Sequence, residues 1–224
     1  MYVPATSAQS AAPATPPLAA LVETATGGSS PGIAPLAGLS AAPVHVSLAV
    51  RRPDLNVLID HTRTIAGVLR PGLAGRTIAL QALGARGWRT LVSTHTARAG
   101  RFRLRYTPHR DGSERVRLRF AGDTADPGAH RALGRLNVYR LAGASWYGGG
   151  GGLACGGQLT SATMGVANKT LPCGSEVTLR YGDHTVSVRV IDRGPYVAGR
   201  EFDLTEATKR ALGFGDTGQV WSTR

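Results

Sequence analysis

The stretch VSVRVIDRGPYVAGREFDL, residues 186–204, decides how the C-terminal part of this chain is read. Val186, Val188 and Val190 alternate with Ser187 and Arg189, the period-two pattern of a half-buried strand that ends on Asp192. Gly194 and Pro195 then impose a turn, so the Asp192 carboxylate stands at a strand end beside the Arg193 guanidinium. Asp203 follows just before LTEATKRALGF, which reads as a short helix with Leu204, Ala207 and Leu212 on one side. Two acids therefore frame one loop. Each also has a purely structural reading: Asp192 pairs with Arg193 or caps the turn, and Asp203 caps the helix opened by Leu204.

Around this stretch, residues 141–224 are strand-like throughout: ASWYG, a glycine run from Gly148 to Gly152, GQLTS, TMGVA, SEVTLRYG, HTVSVRVID, FDLT and GQVWST. YGDHT reads as a hairpin turn. Short strands and one helix in so few residues predict a compact barrel. The glycines follow Trp146 and Tyr147 without the GK[ST] ending of a phosphate loop, and read as a flexible rim. Trp146 is assigned to the core, whereas Tyr147, at the loop edge, suits stacking on a sugar. Cys155 and Cys173 are the chain's two cysteines. In an exported protein they form one disulfide, contributing about 3 kcal/mol in the chain-entropy treatment. Zinc needs more ligands than these thiols and the lone His184 of the segment, and no base accompanies either thiol for nucleophilic work. No metal or cofactor is expected.

From His45 to Arg140 the texture is of short alternating runs, TIAGVL, RTIALQAL, WRTLVSTHT, GRFRLRYTP, ERVRLRFAG and LNVYRL, separated by turns such as RPGLAG, GARG and HRDGS. An antiparallel sandwich without helices is expected. In RFRLRYTP, Phe102, Leu104 and Tyr106 face one way and Arg101, Arg103 and Arg105 the other. This segment holds 18 Arg against 6 acids, while residues 141–224 hold 8 Lys and Arg against 7. The chain's net charge of +12 therefore belongs to the sandwich. Alternating Arg on an outer strand face is ordinarily a solvated face; as a functional patch it attracts an anionic polymer. Nucleic acid is not expected, because Trp88, Phe102, Tyr106 and Phe120 are needed in the core rather than for base stacking.

Residues 1–44 contain no Lys or Arg and one acid, Glu23, in an Ala-, Pro-, Ser- and Thr-rich background, the composition of a disordered leader or linker. The best signal candidate, PLAALVETA, is short and interrupted by Glu23, so either a true signal precedes this start or export uses another route. No stretch approaches the roughly 20 apolar residues of a membrane span. With no Cys near the N-terminus, a lipid anchor is not supported.

ASWYG (144–148), VANKTLPCGSEVTLRYG (166–182), VIDRGPYVAGREFDLTEATKRALGF (190–214) and TGQVW (217–221) together resemble the double-psi β-barrel of the rare lipoprotein A (RlpA) family, septal lytic transglycosylases of peptidoglycan. The resemblance covers nearly all of residues 143–223. The cysteine placement and the Arg-rich module in front resemble the actinobacterial branch. The fold implied is all-β: an immunoglobulin-like sandwich over 45–140, then a six-stranded double-psi barrel with one short helix over 141–224. The activity implied is non-hydrolytic cleavage between MurNAc and GlcNAc, leaving a 1,6-anhydro sugar. One carboxylic acid protonates the glycosidic oxygen, and its carboxylate then takes the proton of the attacking C6 hydroxyl. That sets it apart from the two-carboxylate glycosidases.

Asp192 matches the family's DRGP aspartate, the proposed acid, and Asp203 the aspartate of a DLS-type motif shared with expansins. Tyr147, Gln158, Asn168, Arg193 and Tyr196 are the expected substrate-binding residues. The family usually carries His where VANKTLP has Asn168, and its upstream glutamate is replaced by Gly157 or Gln158. Asn and Gln hydrogen-bond a sugar but exchange no proton near neutral pH, so the chemistry rests on the two aspartates. Three functions follow: a wall-located, secreted transglycosylase; a non-catalytic, expansin-like wall binder; or an Arg-rich interaction module with a passenger barrel.

Overall fold

Alternation along the chain becomes two sheets sharing one core in the N-terminal part of the computed structural model, which describes residues 45–224; the leader or linker expected over 1–44 lies outside the described residues. The strands are β1 (Ser47–Val50), β2 (Asn56–Leu58), β3 (Arg63–Arg70), β4 (Thr77–Gly84), β5 (Gly87–His95), β6 (Arg101–Tyr106), β7 (Gly112–Phe120) and β8 (Ala129–Tyr147). One sheet has the order β1-β3-β6; the other runs β5-β4-β7-β8, with β2 parallel to β8. Ile65, Leu69, Phe102 and Leu104 of the first sheet and Ile78, Leu80, Val116 and Leu118 of the second form a single apolar cluster. Apart from a 3-10 turn at Arg98–Gly100, no helix interrupts these strands.

In β6 the expected division holds: Phe102 and Leu104 are buried, and Arg101, Arg103 and Arg105 are exposed. Phe120 is in the core. Trp88 is not. It is 36% exposed at the start of β5, where the Arg117 guanidinium lies 4.1 Å from its ring centre. The indole is shielded by a neighbouring cation rather than by the interior.

β8 belongs to both halves of the molecule. Its residues through Val138 pair with β7, and those through Tyr139 with β2. From Arg140 onward it pairs with β15 (Thr217–Ser222). The junction expected at 140/141 is thus a hand-over of partners within one strand, with no linker. Tyr139 marks the crossing: fully buried, it donates to Asn56 Oδ1 at 2.8 Å and lies 5.7 Å from the Trp221 ring.

The C-terminal strands are β9 (Gly151–Gly152), β10 (Gln158–Leu159), β11 (Val166–Ala167), β12 (Glu176–Tyr181), β13 (His184–Asp192), β14 (Phe202–Thr205) and β15. The end of β8 pairs with β15, then β12, β13, β11 and β14 follow, and β14 returns to β8, closing a six-stranded barrel. The pairs β11–β13 and β14–β8 are parallel and the other four antiparallel. Val166, Val177, Leu179, Val188, Val190, Phe202, Leu204 and Val220 fill the interior, closed by Leu212 and Phe214.

Helix α1 (Glu206–Leu212) begins later than the sequence pattern suggests. Leu204 is a strand residue, and the cap is Thr205, whose side chain accepts from the Thr208 N–H; Asp203 takes no part. Gly213, in the left-handed region (φ 62°), ends the helix by donating to the Arg210 and Lys209 carbonyls.

Candidate active site

A single row of residues crosses four barrel strands. Ala167 of β11 is the register partner of Asp192 on β13 and also of Asp203 on β14, and Asp203 in turn pairs with Ser145 of β8. At about 4.8 Å per strand step, the two aspartate Cα atoms stand roughly 10 Å apart. Phe202 and Leu204 are in the core, so Asp203 between them faces outward.

Asp192 reaches the same face through an irregularity. Simple alternation from Val186, Val188 and Val190 would point it into the barrel. The register, however, pairs Val166 with Val190 and the next residue, Ala167, with Asp192, leaving Ile191 as an extra residue in β13. This bulge turns Asp192 outward. It depends on Gly165, where a Cβ would collide with the Ile191 side chain.

Each carboxylate is held by one oxygen. Asp192 Oδ1 accepts the backbone N–H of Ala154 at 2.9 Å and of Arg193 at 2.8 Å, whereas Asp203 Oδ1 accepts the Ser145 hydroxyl. Among the described residues, neither acid forms an ion pair and neither Oδ2 accepts a hydrogen bond. Asp192 thus caps its turn without pairing with the Arg193 guanidinium. That group donates instead to the Asn168 carbonyl at 3.0 Å, the Leu171 carbonyl at 2.8 Å and Cys173 Sγ at 3.1 Å.

Asn168 is buried with both ends of its carboxamide bonded to backbone groups. Nδ2 donates to the Glu201 carbonyl at 3.1 Å, and Oδ1 accepts from the Thr170 and Leu171 N–H groups at 3.0 and 2.8 Å. Its own N–H donates to the Asp192 carbonyl at 3.2 Å. Asn168 therefore braces the site from behind. Cys155 and Cys173 form the disulfide, with Cα atoms 5.6 Å apart, and the Cys155 N–H donates to the Ile191 carbonyl at 3.2 Å. Together these hold Ala154 against Asp192. Gln158 is exposed on β10, and Tyr196, 80% exposed, stands on the loop after Pro195. That loop folds back over β8 closely enough that a Cβ on Gly143 would strike the Gly199 carbonyl, and the Glu201 N–H donates to the Gly143 carbonyl at 2.8 Å.

Of the two aromatics at the end of β8, Trp146, expected in the core, is on the surface, while Tyr147 is half-buried. Trp146 is 38% exposed, with its Nε1 donating to Asp216 Oδ1 at 2.9 Å and the Lys209 ammonium 3.8 Å from the ring centre. These two donors hold the Asp216 carboxyl below its usual range. Tyr147, on the same face as Ser145, has its hydroxyl buried without a hydrogen-bond partner. Asp192 is its near polar neighbour, yet the hydroxyl completes no hydrogen bond. Burial first, then the charge and close side-chain contact of Asp192, and last the charge of Asp203, push its ionisation far above that of a free phenol. Sequence reasoning missed this placement, although Ser145 and Tyr147, two residues apart, share one face by simple alternation. Two carboxylates and a neutral phenol on one outer face can exchange and orient protons on a bound polar ligand. Among the described residues, no three of His, Cys, Asp or Glu converge as for a metal ion.

Residues 141–221 match the family model described as "Lytic transglycolase", a double-psi β-barrel family. The "Endolytic peptidoglycan transglycosylase RlpA" of Pseudomonas aeruginosa is 42% identical over 87 residues, which are 36% of this chain and 26% of that protein. The "Probable endolytic peptidoglycan transglycosylase RlpA" of Synechocystis is 40% identical over 81 residues, 34% of this chain and 25% of that protein. The chain thus spans about a quarter of the length of these relatives. A solved structure, the Streptomyces papain inhibitor, aligns with 38% of this chain and 94% of its own at 22% identity and a TM-score of 0.32. The closed six-stranded ring, the matched span and the identity to these RlpA proteins agree: this chain carries an RlpA-like double-psi β-barrel.

Proposed function

We propose that the barrel is a lytic transglycosylase domain that cleaves peptidoglycan glycan between MurNAc and GlcNAc and releases 1,6-anhydro ends. Asp192 is the general acid that protonates the glycosidic oxygen and then the base that accepts the C6 hydroxyl proton. The observation that carries this reading is the outward row of Asp192 and Asp203 flanking Ala167, with neither acid consumed by an ion pair among the described residues. Tyr196 and Gln158, exposed at the rim, are the sugar contacts. Arg193 and Asn168 hold the loop beneath. A place in the cell envelope fits the disulfide, which persists in oxidising compartments. No helix among the described residues is long and apolar enough to cross a membrane.

The test is mass spectrometry of soluble products from purified sacculi. Anhydro-muropeptides from the parent protein and none from Asp192→Asn, with sacculus sedimentation retained by both, support the enzyme. A second reading, an expansin-like binder, is favoured by one observation. Asn168, at the position where the resemblance expects histidine, brings no proton-transfer group and its amide is spent on backbone. Sedimentation without soluble products from the parent protein selects it.

For residues 45–140 we propose an immunoglobulin-like module that holds anionic wall polymers. The support is the exposed Arg101, Arg103 and Arg105 on β6 and Arg115 and Arg119 on β7, none in an ion pair among the described residues. Sedimentation with walls should then weaken with added salt and after the anionic polymers are stripped.

A further inference from the structure

The Tyr147 hydroxyl is the one buried side-chain oxygen of the described residues that lacks a hydrogen-bond partner. Leaving a donor unmet in the interior costs about 1–3 kcal/mol, so such a group in a native fold calls for a reason. Its surroundings supply one. Tyr147 shares a face of β8 with Ser145, which is the register partner of Asp203 on β14 and donates to it, and Asp203 and Asp192 flank Ala167 in one row. The charge of both acids reaches the phenol. Arg193, next to Asp192, has its guanidinium turned to the carbonyls of Asn168 and Leu171. Ala167 on β11 and the segment Leu153–Gln158 bring no charged side chain, and Lys209 of α1 is engaged by Trp146 and Asp216. The ionisable groups facing the phenol are thus acids.

Resting on the transglycosylase reading above, we propose that Tyr147 is a positioning residue for the aspartate pair: its hydroxyl is kept unspent in the resting site and donates to the carboxylate that forms when Asp192 gives up its proton. Oδ1 of Asp192 already holds two backbone donors and Oδ1 of Asp203 holds Ser145, so the new bond goes to an Oδ2. Such contacts are long or misaligned at rest and tighten as charge develops. The phenol suits the task because the same carboxylates that need it oppose its ionisation, so it remains a donor at any working pH. No atom of Tyr147 is transferred; only the alignment of its O–H changes.

Tyr147→Phe tests this in the intact protein. Without the donor the carboxylate is harder to form, so turnover of sacculi falls and the alkaline limb of the pH–rate profile, where Asp192 loses the proton it must donate, moves up by about one unit. Because the lost hydroxyl was unpartnered, the melting temperature stays level or rises. A variant that melts several degrees lower, or one whose alkaline limb does not move, overturns the proposal. Two arms need no turnover, so they stand apart from the failure of the enzyme reading: melting, and tyrosinate absorbance with the Tyr147→Phe spectrum subtracted. In Asp192→Asn the Tyr147 titration should move down toward that of free phenols; an unchanged titration places the hydroxyl away from the acid and overturns the proposal.

Discussion

In the sandwich, arginines line the outer faces of β6 and β7 with few acids to answer them, while in the barrel cations and anions nearly balance and polar side chains are tied individually to particular partners. Arg193, Asn168 and Ser145 each spend their polar atoms on a named neighbour. The difference separates abundance of charge from arrangement of charge. The proposed chemistry falls where donors and acceptors are counted out and a few are left over, namely the outer oxygens of Asp192 and Asp203 and the hydroxyl of Tyr147.

Asp192→Asn should separate the two regions most strongly. Removing a general acid lowers turnover by about 10²- to 10⁴-fold. Product release should collapse while sedimentation through the sandwich is unchanged. Next comes the disulfide: Cys155→Ser with Cys173→Ser should cost about 3 kcal/mol, read by denaturant unfolding of the barrel. Asn168→Ala leaves the Thr170 and Leu171 N–H groups and the Glu201 carbonyl without their side-chain partner, and should cost about 2 kcal/mol by the same measurement. If Asn168 were instead a dispensable sugar contact, affinity would fall and stability would not. Smallest in stability is the triple change of Arg101, Arg103 and Arg105 to Gln, within about 0.5 kcal/mol for an exposed face. Its effect should appear as weaker, less salt-sensitive sedimentation with anionic walls.

Where local pattern and tertiary pairing agree, the sequence was a sufficient guide. RFRLRY became β6 with its faces as alternation dictates, and the Val186–Val190 run became the core side of β13. The helix was found but opened too early, because Leu204 and Thr205 carry apolar and capping chemistry that suits a strand end equally well. The outward turn of Asp192 was not legible. It comes from Ile191 bulging against the two-residue strand β11, a pairing distant in the chain and signalled locally only by Gly165. Trp146 was misplaced because the end of β8 leaves the barrel there, and the inward-facing position meets Lys209 and Asp216 instead of the core. Trp88 was misjudged for a similar reason: an arginine covers it as the interior would.

One strand, β8, runs unbroken from the outer sheet of the sandwich into the barrel wall, ending beside Asp203. There is no slack in that passage for one half to swivel while the other stays put. If the arginine faces hold a wall polymer as proposed, that grip sets the heading of the aspartate row, and the proposed glycan substrate would be met at a fixed bearing rather than searched for on a tether.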